Sequence, residues 1–137
     1  MKKEIVLFLS SQDSLESFPY NKAFDFSVQL PEVLHLDHGE WYCTLKSFQT
    51  YLSTRMDLYV FTNIIEESVV RDKKLPILQH IPEAEDYVNE SFDGSLKFKL
   101  NIGHISMIRI YIKNTSLESP SFGRGPSTCT LQITKEK

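Results

Sequence analysis

The sequence lacks most of what marks an enzyme or a membrane protein. No segment approaches the roughly 20 apolar residues of a membrane-spanning helix. Ile5-Val6-Leu7-Phe8-Leu9 follows two lysines, as a signal peptide would, but the run is only five residues long, Glu4 precedes it and no small-residue cleavage site follows. It reads as a first strand, and the sequons at Asn89 and Asn114 are expected to stay unglycosylated. Gly123-Arg124-Gly125-Pro126 lacks the lysine and the following helix of a phosphate-binding loop. The many serines include none in a Gly-x-Ser-x-Gly elbow.

Cationic excess is missing too. Fifteen Lys and Arg stand against 18 Asp and Glu, for a formal charge of −3. Nucleic-acid binding needs clustered cations to neutralise phosphates, so no nucleic-acid partner is expected. The most basic stretch, Arg71-Asp72-Lys73-Lys74, is broken by an acid and reads as a solvated turn.

Two cysteines, Cys43 and Cys129, show no metal-ligand spacing. Each shares parity with apolar neighbours, Trp41 and Leu45 for one, Leu131 and Ile133 for the other. They read as small buried hydrophobes, or as a disulfide between inward-facing strands in an oxidising compartment. His35-Leu36-Asp37-His38 is the nearest thing to a metal cluster, and it would need a further ligand such as His80 or His104. Glu66-Glu67 and Glu83, Glu85 and Asp86 match paired-carboxylate chemistry in residue type alone and read as solvated turns. No catalytic constellation assembles, so neither an enzyme nor a cofactor or metal is expected.

What is present is alternation. Phe24, Phe26, Val28 and Leu30 occupy one parity, with Asp25, Ser27 and Gln29 on the other. That is a strand with one dry and one wet face. Similar segments recur at 4–10, 23–30, 40–50, 57–64, 75–81, 95–101, 105–113 and 128–134. Nine phenylalanines and six tyrosines suit a β-rich core. Pro31 is expected to end the second strand, and Asp93-Gly94 to turn a hairpin between 87–92 and 96–100. Helix signals are confined to single turns at 31–34 and 83–86. At 137 residues, the chain is expected to be one domain, 1–137, an all-β antiparallel sandwich of about eight strands, jelly-roll-like.

The expected core residues are Phe24, Phe26, Val28, Trp41, Leu45, Ile108 and Ile110. The tyrosines, Tyr20, Tyr42, Tyr51, Tyr59, Tyr87 and Tyr111, exceed what a core needs. They mark a protein contact or cover the second face of a sheet. The candidate interface positions are Tyr42, Arg109 and Tyr111.

The order of short motifs carries a resemblance. Phe18-Pro19-Tyr20-Asn21 is followed by a strand ending Leu30-Pro31, then Gly39-Glu40-Trp41 and Leu45. Asp57-Leu58-Tyr59-Val60-Phe61-Thr62-Asn63-Ile64-Ile65, Lys74-Leu75-Pro76-Ile77-Leu78, Ile108-Arg109-Ile110-Tyr111-Ile112 and Thr130-Leu131-Gln132-Ile133 come after. Over roughly residues 8–133 the chain resembles small β-rich proteins of Polinton/Maverick-type elements and related adintovirus-like DNA viruses. The resemblance implies a virion-associated structural or attachment role (minor capsid or penton-associated). The partners it implies are copies of the chain and other virion proteins. A host surface glycan or protein is the alternative partner, with Trp41 and the tyrosines stacking on sugar rings. It implies a place in the virion, or in the host nucleus or cytoplasm during assembly, without membrane insertion. The chain departs from the family at Tyr42-Cys43-Thr44, where related sequences are more acidic and aliphatic, and in a short tail, Lys135-Glu136-Lys137. A diverged copy with a changed role fits both departures.

Overall fold

The computed structural model describes residues 4–120 and 125–136. Its elements are all strands. In chain order they are β1 (Glu4–Ser10), β2 (Asp25–His35), β3 (Glu40–Tyr51), β4 (Met56–Thr62), β5 (Ser68–Val70), β6 (Lys73–Leu75), β7 (Ile77–Ala84), β8 (Tyr87–Ser91), β9 (Phe98–Lys99), β10 (His104–Lys113) and β11 (Thr128–Glu136). One sheet has the order β1-β11-β3-β8, with β9 also on β3; a second has the order β2-β10-β4-β7; β5 and β6 form a separate hairpin. Every paired strand is antiparallel.

Alternation decides which side chains meet between the sheets. Phe26, Val28 and Leu30 of β2, Ile108, Ile110 and Ile112 of β10, and Leu131 and Ile133 of β11 are buried in one apolar cluster. Trp41, Cys43 and Leu45 of β3 belong to the same cluster, and Phe24 packs half-buried against its margin. Each such Leu, Ile or Phe contributes about 1.5–3 kcal/mol by leaving water.

Bulges adjust the parity. On β3 the inward set changes from Trp41, Cys43 and Leu45 to Phe48 and Thr50. Leu131 pairs with Leu45 and Thr130 with Ser47, so Lys46 is the extra residue that flips the alternation. A matching irregularity lies between Ile105 and Met107 on β10. Opposite it, Pro31 sits in the stretch of β2 that drops out of register. Pro31 therefore does not end β2, which runs on to His35. At an edge strand, and in a bulge, a missing N–H costs no ladder bond.

Other local expectations give way to tertiary pairing. No helical turn forms at 31–34, which lies within β2, or at 83–86, where Glu83 and Ala84 end β7 and Glu85 and Asp86 link it to β8. Arg71 and Asp72, at φ of 48° and 68°, turn the β5–β6 hairpin, and Lys73 and Lys74 continue into β6. Asp93-Gly94 joins no hairpin. β8 pairs with Ser47–Tyr51 and β9 with Tyr42–Cys43, so both lie along one side of β3 as an interrupted strand. The Asp93 carboxylate accepts the Ser95 N–H at 2.8 Å and holds the interruption.

Candidate interaction surfaces

The three residues expected at an interface do not share a surface. Arg109 and Tyr111 lie on β10, whereas Tyr42 lies on β3 in the other sheet. The Arg109 guanidinium donates to both Asp25 oxygens, from Nε at 2.9 Å and Nη2 at 2.8 Å. It also lies 4.3 Å from the centre of the Tyr111 ring, which stacks on Phe61 at 5.1 Å. The hydrogen bonds to Asp25 hold the guanidinium pKa above its ordinary value. Burial raises the Tyr111 hydroxyl pKa. Asp25, Arg109, Tyr111 and Phe61 thus form an internal stack on the outer side of the second sheet, leaving parts of Arg109 and Asp25 open to solvent. Phe61 and Val70 are buried outside the main cluster. Tyr42 donates from its hydroxyl to Glu40 at 3.1 Å, and Lys97 sits 5.6 Å over its ring.

Trp41 is buried, with its indole N–H donating to the Asp37 carbonyl at 3.0 Å. It cannot stack on a sugar, which corrects that part of the sequence reading. The tyrosines divide. Tyr42, Tyr59 and Tyr111 are half-buried against their sheets, while Tyr20, Tyr51 and Tyr87 are exposed. Tyr51 and Tyr87 face each other across β3 and β8 with ring centres 4.9 Å apart. Tyr20 is 88% exposed at the rim of an open cleft of about 560 Å³, lined by residues 17–22, Phe24 and Asp25. Lys22 lies over the Phe24 ring within that cleft.

The chemistry-bearing groups are spread out. His35 stands opposite His104 across β2 and β10, ring centres 6.4 Å apart. Asp37 is engaged by Lys135 at 2.9 Å. His80 stacks on Tyr59 at 4.5 Å and reaches Asp57 at 3.3 Å, far along the other sheet edge from His35. Among the described residues, no three His, Cys, Asp or Glu side chains converge on a common point. Arg55 reaches Glu83 and Glu85 at 3.5 and 3.9 Å in exposed pairs. Cys43 and Cys129 are buried, free thiols on paired strands, out of register with each other. Burial pushes the Cys43 pKa up to about 12 and raises that of Cys129 as well. Among the described residues, no helix is long and apolar enough to cross a membrane.

One surface escaped the sequence reading. On β1 the odd residues face the core, and Val6 and Phe8 face solvent, 45% and 76% exposed. A strand with one buried face needs apolar residues on one parity only. Ile5-Val6-Leu7-Phe8-Leu9 carries them on both, and that surplus is the signal in the sequence. No protein-family model matches the chain, and no curated protein matches it.

Proposed function

We propose that this chain is a non-enzymatic structural protein of a virus or a virus-derived element, which assembles with copies of itself or with other virion proteins. The observation that carries the reading is strand order. Setting aside the β5–β6 hairpin and counting β8 and β9 as one interrupted strand leaves eight. Numbered along the chain, these run 1-8-3-6 in one sheet and 2-7-4-5 in the other. We infer from this a jelly roll, the double-sheet architecture used by capsid and lectin domains. That argument is an analogy at the level of fold. The motif order shared with Polinton and adintovirus-like proteins supports the capsid side of it, as do the exposed Phe8, Val6 and Val69.

Light scattering on a size-exclusion column over a concentration series tests the reading. A defined oligomer is the expected result. A monomer at every concentration, with no affinity for capsid components, would sink it.

A second reading, a glycan- or host-protein-binding module, draws on the cleft beside Tyr20. An exposed aromatic ring at the rim of a cleft is where a sugar face would stack. A glycan array is expected to show a signal lost in Tyr20→Ala, and a blank array removes this reading.

A further inference from the structure

We propose that two copies of this chain join through β1, edge to edge and antiparallel, to make one sheet continuous across a two-fold axis. The inference rests on the assembly reading above and names its interface and its partner, a second copy.

The free hydrogen-bonding side of β1 follows from its register. Ser11 donates its N–H to the Ser127 carbonyl at 2.9 Å, so it points toward β11. Backbone groups alternate along an antiparallel strand. Leu9, Leu7 and Ile5 therefore also point to β11, and Ser10, Phe8, Val6 and Glu4 point away. Ser10 shows the outward direction independently, since its N–H is taken by the Asp13 carboxylate at 2.9 Å. Among the described residues, no backbone hydrogen bond from outside the ladder reaches Val6 or Phe8. These two residues thus present exposed apolar side chains together with open N–H and C=O groups.

The other edges of the two main sheets are covered or otherwise protected. On β2, the Asn21 side chain bonds both Ser27 N–H and Ser27 C=O, at 2.9 and 2.8 Å, and Ser14 Oγ takes the Gln29 N–H. Pro31 has no N–H to offer further along. On β9, Lys99 C=O accepts the Glu66 N–H, and Leu100 is bridged to Ile65. β7 contains Pro82 and is bulged against β4, and β8 is short and carries exposed Asn89 and Glu90. Proline, bulges, charge and covering segments are the usual protections of a sheet edge. β1 has seven residues without a bulge or a proline.

The strand is also complementary to itself. With the two-fold axis at Leu7, Val6 lies opposite Phe8 of the second copy and exchanges both backbone hydrogen bonds with it. Ile5 then faces Leu9 of the second copy, and the two Leu7 side chains meet. Every central position finds an apolar partner on its own face, which favours a second copy over an unrelated strand.

The test uses the full chain and two variants. Val6→Pro removes an outward N–H and leaves the ladder to β11 intact. Phe8→Lys adds charge to an exposed side chain. Wild type is expected at twice the chain mass, dissociating on dilution. Both variants are expected at the single-chain mass with wild-type melting. If Val6→Pro melts early, Phe8→Lys decides. An oligomer unmoved by Phe8→Lys overturns the β1 interface and leaves the assembly reading standing; a wild-type monomer at all concentrations overturns the β1 interface, and overturns the assembly reading as well if it has no affinity for capsid components.

Discussion

Trp41 is held from several sides. Its N–H is bound to the Asp37 carbonyl, the ammonium of Lys135 lies 6.0 Å from its ring, and Lys135 is itself anchored on Asp37. Trp41→Ala is expected to cost about 3–5 kcal/mol in urea unfolding, as for other buried aromatics. The thiols give a second prediction. An unfolded thiol ionises near 9.0, whereas burial pushes the folded Cys43 to about 12. A pKa raised by folding stabilises the protein below the unfolded value, and this contribution is lost as pH rises toward the folded one. Stability should therefore decline from about pH 9 upward, and less steeply in Cys43→Ala. At neutral pH both thiols should resist a thiol reagent until the chain unfolds. Residues whose role is set by their own strand were legible: the alternation places Phe26, Val28, Ile108 and Ile110 inward. Arg109 was not, because the pairing with Asp25 joins residues 84 apart in sequence. No local pattern encodes it.

At the scale of the element, side chains complete what the ladders leave open. Asn21 acts as a short piece of strand along β2, where its amide satisfies the donor and the acceptor of Ser27. Asn21→Ala is expected to cost about 1–3 kcal/mol, the usual penalty for orphaning a partly buried polar group. The same change should speed amide exchange at Ser27 relative to Ile110. Strand existence was legible from alternation, and strand ends were less so. β2 runs past Pro31 because an edge tolerates proline. The segment 95–101 yields only Phe98–Lys99 because its pairing is decided by the free side of β3. The turn at Arg71-Asp72 was legible but the β5–β6 hairpin around it was not, because Arg-Asp is not a usual pair for a hairpin turn with φ positive at both positions and Lys73-Lys74 carries no strand alternation.

For the whole molecule, the order of strands within the sheets matters more than their number. β11 comes last in the chain but lies between β1 and β3. Without it, among the described residues, β1 has no ladder left and β3 loses its longest one. A chain truncated after Ser127 is expected to lack a cooperative melting transition by circular dichroism. This arrangement was not legible in the sequence. Alternation identifies faces but carries no information on which strands become neighbours, and β1 and β11 lie at opposite ends of the chain. The register that joins them, Glu4 opposite Thr134 and Ser10 opposite Thr128, also has a mechanical consequence. β1 begins and β11 finishes at the same end of one antiparallel pair. Tension applied through both termini would load its hydrogen bonds one after another, like a zipper, instead of all together in shear. Strain placed on this domain would be borne better through a face or an edge than through the outer ends of β1 and β11.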